Sequence, residues 1–431
     1  MSTDHTHDPR ASTWVPGADS HADFPVQNLP LGVFSVGSGR PRIGCAIGDY
    51  VLDLSAMAAP GLIAGDGLDE DSLNTLFAAG RTGLTRLRHA LFAVLTDAGK
   101  MDAVLPHLIP AAHCAMHMPF RVGDYTDFYV GIHHAMNIGK QFRPDSPLLP
   151  NYKHLPIGYH GRASSIRASG APLIRPCGQV KAADADTPAL KPTERLDFEL
   201  ELGLWIAGEN ALGEAVAINR AWDRIGGMCL LNDWSARDVQ GWEYQPLGPF
   251  LAKNFLSTVS PWVVTADALA PFRTAQQPRP GGDPQPLPYL RNADDQAGGA
   301  LSLDLSVSIS TAKMREAGME PAVLSESTAG SMYWTPAQMI AHHTVNGCNL
   351  RAGDLLGTGT ISGPDASAFG SMAEITLGGK QPIPLPTGET RGFLEDGDEV
   401  TLFAAARAPG ARAIGFGPCR GTVCPARSLA G

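Results

Sequence analysis

The chain has 431 residues, 44% of them hydrophobic and 18% charged, and its 33 Lys and Arg against 43 Asp and Glu leave a net charge of −10. That length allows two domains at roughly 100–200 residues each, and the apolar fraction excludes a globally disordered chain. The acidic balance excludes a general binder of nucleic acid or anionic membrane, though a local basic pocket stays compatible with it.

No apolar run approaches the roughly 18 residues of a membrane span. The polar start, Met1–Arg10, has no apolar signal core, and the seven cysteines form no CxxC pair, so the expectation is a reduced, cytoplasmic protein. The first thirty residues, polar with interspersed Pro, predict an extended arm on the surface. Ile43, Cys45 and Ile47, the turn Gly48-Asp49, then Val51, Leu52 and Leu54 spell a β-hairpin. Leu84, Leu87, Leu91, Val94 and Leu95 fall on one helix face, with Gly99 where a C-cap belongs. His113 and His117, spaced i, i+4, read as a structural helix face with no third ligand nearby. Residues 1–118 thus form one small unit of hairpins and helices.

Beyond Pro119 the chain, residues 119–431, becomes Gly- and Pro-rich and mostly β. Leu196, Phe198, Leu200, Leu202 and Leu204 alternate with Asp197, Glu199, Glu201 and Gly203, the pattern of a strand with one apolar face. Met228–Leu231 predicts a strand that delivers the polar residues after it. Residues 273–300, rich in Pro, Gly, Gln and Asp, predict a long exposed loop. Thr335 as N-cap, Pro336 at the first helical position and Gly347 after the last turn mark a helix. Asp396-Gly397-Asp398 is a turn into a strand at Val400–Ala404.

HExxH, GxSxG, a Walker A loop and a helix-opening GxGxxG are all missing, which leaves metal-assisted or general acid–base chemistry. Glu199 and Glu201 share one strand face and offer the oxygen ligands that a hard cation wants, although alternate acids also mark the solvent side of a strand. Asp124, Asp127, Tyr129 and the pair His133-His134 make a second cluster, in which composition does not choose between the histidines and a surface turn would look similar. Asn232 to Tyr244, with Lys253 and Ser257, is the densest cluster. There Arg237, Gln240 and Lys253 could stabilise an oxyanion, or form a hydrogen-bonded corner.

Together these segments resemble the fumarylacetoacetate hydrolase family over nearly the whole chain. The blocks that carry the resemblance are Asp23–Phe34, Gly123–Tyr129, Leu155–Ser165, Asn232–Asp238, Val345–Arg351, Gly359–Gly363 and Phe369–Met372. The resemblance implies a mainly β fold with some α: an SH3-like N-terminal domain, a C-terminal mixed β-sandwich roll, and a homodimer. It implies hydrolysis of a C–C bond of 4-fumarylacetoacetate to fumarate and acetoacetate, the last step of tyrosine and phenylalanine breakdown. It places Ca2+ or Mg2+ on Asp127, Glu199, Glu201 and Asp233. A second Mg2+ is implied near Asp233, Lys253 and position 257, where Ser257 replaces the family's Thr. The family pattern His134-Ala135-Met136-Asn137-Ile138-Gly139 selects His134 as general base, with Glu374 as its orienting partner. Arg237, Gln240 and Lys253 become oxyanion donors, and Tyr129, Arg143, Tyr159, Gln240, Tyr244 and Thr360 surround the substrate. The rival expectations are a hydrolase or decarboxylase of another β-diketo or 2-oxo acid on the same fold, and a catalytically silent binding protein.

Overall fold

The computed structural model describes residues 3–428. The alternating apolar positions of Leu31–Val36, Arg42–Ile47 and Tyr50–Asp53 fold into a meander. Leu108–Pro110 and Cys114–His117 complete it on either edge as a five-stranded antiparallel sheet. The hairpin turn works because Gly48 adopts φ +54°, a conformation open to a residue without Cβ.

The expected helix spans Gly80–Thr96 and buries Leu84, Leu87, Leu91 and Leu95. It stops at Asp97 rather than at Gly99, because the Asp97 carboxylate accepts from Gly99 N at 2.8 Å and starts a separate 3-10 turn. His113 and His117 do not share a helix: His113 ends the single 3-10 turn Ala111–His113, and His117 lies on a strand. Cys114–His117 pairs with Ser35 and its neighbours as a strand, and His117 Nε2 meets Ser35 Oγ at 2.8 Å. Nor is the N-terminal segment a surface arm. Val15, Ala18, Val26 and Leu29 enter the core, and the buried Arg88 guanidinium donates to the carbonyls of Gln27 and Asn28 at 2.5 and 2.6 Å.

The rest of the chain builds two further large sheets. In the first, seven strands run in the order Gly158–His160, Tyr125–Phe128, Leu355–Gly357, Leu200–Ile206, Ile225–Asp233, Ser257–Val259, Ile166–Ala168, with Val264–Thr265 as an eighth beside Ile225–Asp233. The second is six-stranded and centred on Leu303–Ser310 and Glu399–Ala406. The Leu196–Leu204 alternation is interrupted at Phe198-Glu199, and Leu200–Ile206 is buried on both faces, so its acidic side does not meet solvent. Leu200, Leu202 and Leu204 share a core with Leu305, Val307 and Leu402 of the second sheet. Trp205, on the opposite face, packs with Cys229, Leu231, Val259 and Leu355 against Phe77, Leu84 and Phe120. The Phe120 ring lies 4.8 Å from Phe77 and 4.4 Å from Trp205, centroid to centroid. One apolar core therefore runs unbroken from the first sheet into the central one.

The segment 273–300 is not a plain exposed loop. It holds the helix Ala293–Gly298 and buries Leu290 and Asp295. Asp295 Oδ2 accepts from Thr335 Oγ1 at 2.7 Å, which ties this segment to the N-terminus of the helix Pro336–Thr344. That helix starts on a reciprocal cap: Thr335 Oγ1 accepts from Gln338 N, and Gln338 Oε1 accepts from Thr335 N.

Candidate active site

Strand register brings the acids together. Gly357 pairs with Asp127 on one side, and on the other its strand borders Leu200–Ile206, which carries Glu201. A side chain at position 357 would collide with this arrangement, since a Cβ there would sit 2.5 Å from Asp127 Oδ1 and 3.1 Å from Glu201 Oε2. Asp233 arrives at the end of Ile225–Asp233, opposite Ser257. Oxygens of Asp127, Glu201 and Asp233 thereby lie within 4.8 Å of one another, all three residues being buried. Gly359 N donates to Asp127 Oδ1 and Glu201 Oε2 at 3.2 and 3.0 Å, while Glu201 Oε1 is buried without a partner among the described residues. Burial, followed by the Asp233 charge, pushes Asp127 well above the usual carboxylate range; burial and then Asp127 do the same to Glu201. An all-oxygen donor set, an unpartnered buried carboxylate oxygen and three acids with a single lysine among them fit a hard divalent cation.

Glu199 stands apart from this trio. Its carboxylate takes the Lys253 ammonium on Oε2 and lies 2.7 Å from Arg237 Nη2 through Oε1. Against the effect of burial, those two cations draw it down to about 2. Lys253 Nζ also donates to Asp233 Oδ2 at 2.8 Å, beside Tyr159 OH at 3.0 Å, and Ser257 Oγ donates to Asp233 Oδ1 at 2.8 Å. The carboxylates outweigh the burial of Lys253 and raise its pKa, so it stands here as a positive charge. Its side chain is thus a donor to the carboxylates of Glu199 and Asp233.

Of the two adjacent histidines, only His134 is deeply buried, on the helix Ile132–Phe142. Its Nδ1 lies 2.6 Å from Glu374 Oε2 and its Nε2 3.7 Å from Glu199 Oε1. Glu374 also accepts from Asn137 Nδ2 at 2.9 Å, Ser362 Oγ at 2.8 Å and Ser371 Oγ at 2.9 Å. Burial alone would raise Glu374, but the His134 charge and these donors hold it below the ordinary carboxylate value. An ionised carboxylate only accepts, so Nδ1 carries a proton in this contact, and in the neutral imidazole Nε2, facing the cavity, is then the accepting nitrogen. His133 is half-buried, and burial lowers its pKa.

These groups line one cavity of about 390 Å³, which brings Asp127, His134, Glu199, Glu201, Arg237 and Lys253 together. Tyr129, Arg143, Tyr159, Gln240, Tyr244 and Thr360 line it too, whereas Glu374, Asp233 and Ser257 sit behind its wall. Arg237 Nη1 donates to Gln240 Oε1 at 3.1 Å, and Arg143 Nε and Thr360 Oγ1 are buried with no partner among the described residues. The sequence reading gave no role to Asn137, Ser362 and Ser371, which fasten Glu374, although all three lie inside motif blocks quoted above. It also missed the apolar mouth of Ile138, Phe142, Leu149 and Leu247, whose spacing carries no signal.

Residues 27–119 match the family described as "Fumarylacetoacetase N-terminal", and residues 125–424 match "Fumarylacetoacetate (FAA) hydrolase C-terminal". The chain is 47% identical to a protein named fumarylacetoacetase from Dictyostelium discoideum, over 95% of this chain and 96% of that protein. It is 46% identical to the human protein of that name, over 96% and 99%. A solved fumarylacetoacetate hydrolase from Exiguobacterium antarcticum, 16% identical, superposes with a TM-score of 0.52 over 93% of this chain and 100% of that one, a likeness of fold.

Proposed function

The chain belongs to the fumarylacetoacetase family, and on that premise we propose how its site carries out the family reaction. The enzyme hydrolyses fumarylacetoacetate to fumarate and acetoacetate, at the end of tyrosine and phenylalanine breakdown. The observation that carries the mechanism is the His134–Glu374 pair, with Nε2 directed into a cavity that Asp127 and Glu201 of the carboxylate trio also line.

Asp127, Glu201 and Asp233 would hold the cation, Ca2+ or Mg2+, with Glu199 as the expected fourth carboxylate. When bound, the ion supplies Lewis-acid polarisation of the diketone oxygens. His134 Nε2 takes a proton from water, and Glu374 fixes the tautomer and stabilises the imidazolium that forms. The hydroxide attacks the carbonyl next to the fumaryl group, where Arg237, Lys253 and Gln240 offer donors to the developing alkoxide. Collapse of the tetrahedral species breaks the C–C bond; acetoacetate leaves as its enolate and is protonated at carbon, with His134 as the nearest acid. Arg143, with a buried Nε that lacks a partner, pairs with a substrate carboxylate, and Tyr129, Tyr159, Tyr244 and Thr360 orient the chain. A homodimer in the cytoplasm completes the reading and rests on the family resemblance; no helix among the described residues is long and apolar enough to cross a membrane.

The test is hydrolysis of fumarylacetoacetate, followed by loss of its ultraviolet absorbance, before chelation, after it, and with Ca2+ or Mg2+ restored. Turnover that falls on chelation and returns with metal is expected. A metal-loaded native chain that leaves the diketone intact would defeat the assignment.

A further inference from the structure

Glu374 and Arg237 sit on separate elements, and one buried side chain grips both. Asp197 is fully buried at the end of the short strand Leu196–Asp197 and lies behind the cavity wall. Its Oδ2 accepts from Arg237 Nε at 2.8 Å. Its Oδ1 accepts from Met372 N at 2.7 Å, and Oδ2 also accepts from Ala373 N at 3.1 Å. Those two amides open the four-residue helix Met372–Ile375, and Glu374 is the next residue along it. A single helical turn has almost no stability of its own, so its place is set by what holds its ends. At the N-terminal end that is Ser371 Oγ, which accepts from Glu374 N at 3.3 Å, and the Asp197 carboxylate; towards the other end Gln141 Nε2 donates to Ala373 O at 3.0 Å and Thr376 Oγ1 to Gly392 O at 2.9 Å.

Arg237 is fixed by the same carboxylate. With Nε on Asp197 and Nη1 on Gln240, the guanidinium plane is set and Nη2 is left 2.7 Å from Glu199 Oε1. Bonds from a guanidinium and two backbone amides to one buried carboxylate are charge-assisted and costly to leave unmade.

We propose that Asp197 is a positioning residue: it sets the spacing between the His134–Glu374 base and the Arg237 donor without touching the reacting atoms. The proposal rests on the roles given to His134 and Arg237 above. A water activated at His134 Nε2 and an alkoxide received at Arg237 belong to one bond-forming event, and displacing either by an ångström is enough to slow it.

Kinetics of the metal-loaded full chain test this. Asp197→Asn keeps the volume but replaces one accepting oxygen with a donor; kcat should fall by about ten- to a hundredfold while KM stays within about twofold. Combined with Arg237→Lys, the two losses should be less than multiplicative, because the first change has already released the guanidinium. A second readout needs no substrate. The Nδ1 proton on the 2.6 Å His134–Glu374 contact should resonate far downfield in proton NMR and vanish in Glu374→Gln. In Asp197→Asn it should move upfield or broaden, since the turn carrying Glu374 has lost two anchors. If the Asn variant does not fold, Asp197→Glu keeps the charge but adds a methylene, and should displace the same resonance. Native kcat with an unmoved resonance in either folded variant overturns the proposal, as do fully multiplicative losses. A native chain inactive on fumarylacetoacetate would instead defeat the functional reading, and the resonance alone would then decide the role of Asp197.

Discussion

At the scale of single residues, neighbours in sequence are separated by what each can reach. His133 and His134 differ by one position on a helix, about 100° of rotation, and only His134 meets Glu374 and the cavity. His134→Ala should therefore cut kcat by about a hundred- to ten-thousandfold, while His133→Ala leaves it near native; a reversal in steady-state assays would move the base. Glu374 gives a pH prediction. Its folded pKa lies below the ordinary 4.5, so it contributes stability at pH values above 4.5 that is lost as pH falls through the folded value. Thermal melts below about pH 5 should accordingly show native protein losing stability more steeply than Glu374→Gln, the two curves converging in acid. A steeper acid fall in the Gln variant would contradict this. The residue types of the site were legible in sequence because carboxylates, an imidazole and cations stood out from apolar surroundings. Their division of labour was not: nothing in the spacing of Glu199 and Glu201 says that one faces Lys253 and Arg237 while the other keeps an unpartnered oxygen.

At the scale of elements, local codes were readable where the local chain decides the outcome. Thr335, Pro336 and Gln338 specify the start of the helix Pro336–Thr344 through bonds within a few residues. Removing that cap with Thr335→Ala should cost about 1–2 kcal/mol in denaturant melts, at the upper end because Asp295 also loses its hydroxyl donor. Codes failed where a distant partner decides. The i, i+4 spacing of His113 and His117 suits a helix, but the free edge of Leu31–Val36 recruits Cys114–His117 as a strand. The composition of 273–300 suits a loop, yet Asp295 is drawn inward by Thr335, forty residues away in the chain. Asp197 read as the polar side of a strand, and its amide partners at Met372 and Ala373 could not be foreseen from either segment.

At the scale of the whole molecule, the carboxylate trio is held together by the surrounding sheet against its own repulsion. Saturating the site with Ca2+ or Mg2+ at a hundred times its Kd should add about 2.7 kcal/mol of stability, and chelation should remove it, both measurable as shifts in Tm. The unbroken core makes a second prediction. A chain truncated to begin at residue 119 would bare the face around Trp205, Leu231 and Val259 that Phe77 and Leu84 cover. It should bind a hydrophobic dye strongly and aggregate, whereas the full chain should do neither; a soluble, dye-silent fragment would show that the two halves are independent. The same core has a consequence during synthesis. It gathers residues from Val15 to Leu355, so the first sheet leaves the ribosome long before its packing partners exist. From His117, the last residue of that sheet, to Leu355, the wait at 5–20 residues per second spans about 12 to 48 s, during which the nascent chain presents an apolar face that chaperones, rather than its own later strands, must shield.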